Sequence, residues 1–321
     1  MQILNLPLHK IVVPTPFHVG PVNVYLITEP EVSLIDTGPS TPEARSALEE
    51  GLREIRLQVK DIRKIFITHG HPDHYGQAAS LARESGATLL ASTFDSPQFQ
   101  HRVNQDFYVR AYQEAAVPQK IIDLFAEEFR SIQRTAEPIQ EYAPVHEGDS
   151  LRCGSLEFKV ISTPGHTPGS VCFHSQEQHL LIAADTVIKR ITPNPVLDED
   201  PARPGMRYPS LKNYLTSLER LHRWSPAFIF SGHGEEVDEF QLLFQKMVRH
   251  HEERQNKILN LLGRRPKSPW RLVRELFPDV SDDGMFLALS EVIAHVDLLE
   301  SHSRVQSEIR EGVRIIEAIE Q

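Results

Sequence analysis

The run Thr68-His69-Gly70-His71-Pro72-Asp73-His74 constrains this chain more than any other stretch. Four side chains able to ligate a metal fall within six residues. The spacing excludes a helical His-Glu-x-x-His arrangement, whose histidines sit four apart on one face. Gly70 and Pro72 argue against a regular helix, so the segment reads as extended or turning. In an extended chain His69 and His71 point the same way, while the adjacent Asp73 and His74 diverge. That geometry suits two neighbouring metals better than one.

Three later pieces repeat one design, in which an apolar strand delivers a ligand at its end. His166 lies in the tight turn Thr163-Pro164-Gly165-His166-Thr167-Pro168-Gly169. Asp185 closes the apolar run LLIAAD, where an uncompensated buried carboxylate is costly and a cation accounts for it. His233 closes AFIFSGHG in the same manner. The other histidines, including His9, His18, His101, His146 and His174, lack partner spacing and receive no role.

Around these ligands, short β-branched runs alternate with helical patterns. KIVVP, VNVYLI, VSLID and KIFIT read as strands, and Thr41 to Val59 reads as a helix with Ala44, Leu48, Leu52 and Ile55 on one face. This alternation points to an α/β layered domain. Between about 92 and 140 the pattern changes to two aromatic-rich helical stretches carrying Phe99, Phe107, Tyr108, Tyr112, Phe125 and Phe129. Their place between two ligand-bearing segments suggests a cap, with Phe107 and Tyr112 as substrate contacts. The proline-rich stretch 192–209 reads as a long functional loop, and its Tyr208 is a further candidate contact.

Together the motifs THGHPDH, TPGHTPGS, AAD at 183–185, SGHG at 231–234 and LIDTG at 34–38 resemble the metallo-β-lactamase superfamily. The ligand set is similar to that of its glyoxalase II branch, and the resemblance spans roughly residues 10 to 250. It implies a four-layer αββα sandwich with the metals at one edge of its two sheets. It also implies two divalent cations, zinc foremost and manganese or iron as alternatives. By the resemblance His69, His71 and His166 hold one metal, Asp73, His74 and His233 hold the other, and Asp185 bridges both. True β-lactamases of the superfamily lack that bridging carboxylate, the diiron oxygen-reducing branch has an acidic residue where His71 stands, and the single-iron sulfur dioxygenases use fewer ligands. A full set with Asp185 therefore implies hydrolysis. Cations about 3.5–4 Å apart share a water and lower its pKa, so a metal-bridging hydroxide would attack the substrate. Asp73 is expected to orient that nucleophile, and Asp36 to steady a ligand loop from behind.

A length of 321 residues fits one large domain plus one small one, and we expect a boundary near residue 250. The segment 250–321 resembles the winged-helix extension of some superfamily members, through His250-His251-Glu252-Glu253-Arg254, then Pro269–Leu276 and Ala288–Leu299. A short basic run includes Arg264, Arg265, Lys267, Arg271 and Arg274, but Glu275, Asp279, Asp282 and Asp283 follow it directly. With a net charge of −10, this argues for a structural or homodimer-forming module and against nucleic-acid binding. The expected substrate is a small ester, thioester or lactone. The rival readings are a phosphodiesterase or ribonuclease, and a non-catalytic metal-binding sensor. Two cysteines, Cys153 and Cys172, no charged leader and no membrane-length apolar run point to the cytoplasm.

Overall fold

The structure, a computed structural model, describes residues 6–263 and 265–319. Two sheets face each other. The first runs in chain order: β1 (Leu8–Val13), β2 (Val22–Ile27), β3 (Val32–Ile35), β4 (Ile62–Phe66), β5 (Thr88–Ala91) and β6 (Ala143–Pro144). It is antiparallel from β1 to β3 and parallel from β3 to β6. The second holds β7 (Ser150–Cys153), β8 (Leu156–Ser162), β9 (Val171–Ser175), β10 (Leu180–Ala184) and β11 (Phe228–Ser231), with only the β10–β11 pair parallel.

Side-chain alternation assigns each strand residue to a layer. Tyr25, Ile35, Phe66, Phe158, Val160, Phe173, Ile182 and Phe230 fill the space between the sheets. Residues of opposite parity in the first sheet, such as Val24, Leu34 and Ile65, pack beneath α1 (Pro42–Glu54) and α3 (Ala78–Ser85). Ile161, Leu181, Ala183 and Ile229 do the same for the second sheet beneath α7 (Ser210–Trp224) and the start of α8 (Phe240–Leu262). The result is the αββα sandwich. Helix α1 starts where its sequence dictates, with the Thr41 hydroxyl accepting from the Ala44 amide and Pro42 in the first turn.

A second apolar body sits beside the sandwich. The insertion contributes α4 (Ser96–Phe99), α5 (Gln105–Glu114) and α6 (Gln119–Gln133). The C-terminal region contributes the end of α8, then α9 (Pro269–Leu276), α10 (Met285–Ser301) and a hairpin of β12 (Val305–Arg310) and β13 (Val313–Ala318). An isolated bridge between Lys267 and Ile316 ties the segment before α9 to the hairpin. Phe107, Tyr112, Ile122 and Phe125 share one core with Ile258, Leu262, Leu272, Leu289, Val292 and Ile316. Residue 250 falls inside α8, a continuous helix of 23 residues that serves both bodies through Phe240 and Met247 at one end and Ile258 and Leu262 at the other.

Candidate metal centre

Every candidate ligand follows the C-terminal end of a strand. The chain leaves β4, bends at His69 and Gly70, is extended at His71 (φ −89, ψ 139), and then makes the single helical turn α2 (Pro72–Tyr75). The segment, expected to be extended or turning, takes its turn as one turn of helix. Proline opens a helix readily at its first position, where its missing N–H is not needed, so Asp73 and His74 lie on a helical turn. His166 stands in the β8–β9 turn, Asp185 directly after β10, and His233 two residues after β11.

The seven side chains meet. His69 Nε2 lies 3.1 Å from His71 Nδ1, which is 2.9 Å from His166 Nε2. Asp73 Oδ2 lies 3.4 Å from His233 Nε2. Asp185 reaches His74 Nε2 at 3.4 Å, His233 Nε2 at 3.5 Å and His166 Nε2 at 3.6 Å. Ligand atoms of His69–His71–His166, His69–His74–Asp185 and Asp73–His74–His233 each cluster within 4.8 Å.

A metal fits this donor set. His74 Nε2, His233 Nε2 and Asp185 Oδ1 are buried without a hydrogen-bond partner among the described residues, an arrangement that costs free energy unless a cation takes them. The space beside Asp185 is kept by Gly232, where a Cβ would stand 2.1 Å from Asp185 Oδ1.

The two halves of the cluster differ electrostatically. Burial, aided by neighbouring imidazoles, holds His69, His71 and His166 below the usual histidine range, His71 down to about 3. This favours the neutral imidazole, the form that gives a lone pair to a cation. Burial would lower His74 and His233 as well, but Asp185 and the other carboxylates lift both, His233 to about 10. Asp73 and Asp185, which burial alone would raise, are held below the carboxylate range by His74 and His233.

Behind the ligands, Asp36 Oδ2 meets His74 Nδ1 at 2.7 Å, which turns His74 Nε2 toward the cluster. The same carboxylate accepts from the Thr68 amide at 2.9 Å and from the Thr68 hydroxyl. His233 Nδ1 and His166 Nδ1 are held by the carbonyls of Pro21 (2.8 Å) and Asn194 (3.1 Å).

Sequence reasoning missed Asp95. It is fully buried and accepts from the Gly70 amide, the Gly169 amide and the Thr167 hydroxyl, all at 2.7 Å. It thus ties the His69–His71 loop to the His166 turn. Burial pushes its carboxyl up to about 6 against those three bonds. The available signal lay in the two glycines. A Cβ at Gly70 or Gly169 would stand 2.9 or 2.5 Å from Asp95 side-chain atoms, so both ligand loops are glycine there to admit it.

The aromatic candidates are placed otherwise. Phe107 and Tyr112 keep only 2% and 7% exposure, and Tyr112 packs on Phe125 and Phe286. They line the second core because the C-terminal region covers that face of the insertion, which leaves them no free surface for a substrate. Tyr208 is half-buried in the 192–209 loop, its amide bonded to the Asp198 carbonyl. Asp198 in turn takes the Tyr108 hydroxyl at 2.7 Å and the Gln98 amide at 2.9 Å, and burial raises it to about 7.

The family model of the metallo-beta-lactamase superfamily matches residues 18–233. The chain belongs to this superfamily. Among its superfamily relatives, "Probable metallo-hydrolase YqjP" of Bacillus subtilis (strain 168) is 30% identical over 307 residues, covering 92% of each chain. A hydroxyacylglutathione hydrolase of Rhizobium etli is 27% identical over 50% of this chain and 46% of its own length. The crystal structure of a metallo-beta-lactamase family protein from Thermus thermophilus superposes with a TM-score of 0.85 at 26% identity, covering 98% of this chain and 99% of that one. The superfamily match places the cluster in a metal-binding hydrolase fold. No helix among the described residues is long and apolar enough to cross a membrane.

Proposed function

We propose that this chain is a dinuclear metal-dependent hydrolase acting on a small ester, thioester or lactone. The observation that carries the reading is Asp185, whose carboxylate lies within 3.6 Å of ligand nitrogens from both halves of the cluster. His69, His71 and His166 would hold one cation, Asp73, His74 and His233 the other, and Asp185 both. Two such cations, zinc foremost and manganese or iron as alternatives, supply an activated water and polarise a substrate oxygen.

The chain's own residues do the rest. Asp36 fixes the His74 ring and so decides which nitrogen it presents. Asp73, its carboxyl held low beside His74 and His233, would orient the attacking water by accepting its hydrogen bond. Similarity to the Rhizobium etli hydroxyacylglutathione hydrolase supports including thioesters in that class. A small-molecule substrate is favoured over nucleic acid because Lys267 and Arg271 are both paired to Glu275; Arg264 lies outside the described residues. Free, buried Cys153 and Cys172 fit a cytoplasmic setting, and the C-terminal region is our candidate homodimer surface.

The test is turnover of a panel of thioesters, lactones, aryl esters, phosphodiesters and single-stranded RNA by zinc-loaded protein. Ester or thioester hydrolysis that is lost with a chelator and in His71→Ala is expected. RNA cleavage without ester or thioester turnover would replace this reading with a nuclease, and binding without turnover would replace it with a sensor.

A further inference from the structure

The loop 192–209 touches a ligand on one side and the C-terminal region on the other. The Asn194 carbonyl accepts from His166 Nδ1 at 3.1 Å. The Asn194 side-chain amide donates to the Leu287 carbonyl, in the first turn of α10, at 3.0 Å. Farther along the loop, Arg207 makes a two-pronged pair with Asp297 of α10, at 3.0 and 3.1 Å. Asp297 is itself held by Arg314 of the hairpin at 2.6 Å. One residue thus joins a metal-ligand ring to a helix outside the sandwich.

An imidazole whose Nδ1–H is bound by a carbonyl presents Nε2 to a cation in one fixed orientation. The carbonyl is only as well placed as the loop that carries it, and in this loop the segment 192–198 has no helix or strand, while Glu199 and Arg207 form an isolated bridge. We propose that Asn194 is a positioning residue for His166, and that through it the C-terminal region sets the cation affinity of the His69–His71–His166 group. The inference rests on the dinuclear reading above and adds to it a task for the C-terminal region.

Asn194→Asp tests it with almost no change of shape. The carboxylate cannot donate to the Leu287 carbonyl and faces it unfavourably. Zinc titration of the full-length protein against a competing chromophoric chelator should show one of two binding steps weakened, by up to roughly the 10–100-fold that loss of an outer partner causes, since the carbonyl is loosened and not removed. Long-range proton–nitrogen spectra of the metal-free protein should show His166 protonated at Nδ1 in the wild type and a mixture of tautomers in the variant. Arg207→Ala, which frees the same loop from Asp297, should shift the same step in the same direction. If Asn194→Asp titrates like a normally loading wild type, the inference fails alone. It fails equally if both steps weaken together with the melting temperature. A wild type that takes up no zinc would remove the functional reading along with it.

Discussion

In the αββα body each reactive side chain is handed over by the end of a strand, whereas in the body shared by the insertion and the C-terminal region no comparable ligand cluster forms among the described residues. The first spends buried polar groups freely: Asp36, Asp73, Asp95, Asp185, His69, His74, His166 and His233 are nearly or fully buried. The second is made mainly of Phe, Ile, Leu and Val, with the insertion on one side and α8 to α10 on the other. The loop 192–209 spans the two. The difference teaches that stability and chemistry are largely separable here, and that they couple where that loop crosses.

That separation is breakable by a crossed pair of variants. Asp185→Ala should cut turnover by more than about 100-fold, exceeding the loss typical of an outer partner, and lower metal content while the circular dichroism spectrum persists. Phe125→Ala should do the reverse, costing about 3–5 kcal/mol in denaturant unfolding with metal content kept. A Phe125→Ala protein that folds stably but loses metal would show the bodies to be one cooperative unit.

Asp95→Ala sharpens the comparison inside the first body. It breaks three hydrogen bonds between the two ligand loops without touching a ligand atom. We expect roughly 10–100-fold weaker metal binding, read by chelator competition. Unchanged affinity would reduce Asp95 to a loop spacer.

A smaller effect belongs to the second body's border with α7. His251 and His295 are buried side by side, 3.4 Å apart, with Tyr214, His250 and Arg254 around them. Burial lowers both, His251 from 6.5 to about 3. Between those values the unfolded chain binds protons that the folded chain refuses, so this stability is complete above pH 6.5 and drains as pH falls. His295→Leu should flatten the acid slope of the unfolding free energy, and an unaltered slope would refute the assignment.

How much of this was legible beforehand follows the same divide. THGHPDH, TPGHTPG and the isolated Asp185 were readable because carboxylates and imidazoles at strand ends have few other uses. The strand and helix layers were readable from their periods, as Val160 and Ile161 facing opposite cores illustrate. The partner of the insertion was not, because an apolar helix face states that it will be covered and not by what. Phe107 and Tyr112 were assigned to a substrate for that reason, and the C-terminal region took them instead. Asp95 escaped because a lone Asp in Phe94-Asp95-Ser96-Pro97 looks like turn chemistry, and its function depends on two backbone amides far away in the chain.

That seven side chains act as one centre for two metals is the central claim. Elemental analysis of full-length protein, loaded with excess zinc and then freed of loosely held metal, measures this directly. We predict close to two equivalents per chain, falling in Asp185→Ala. Saturation at one equivalent, with Asp185→Ala indistinguishable from wild type, would contradict the account.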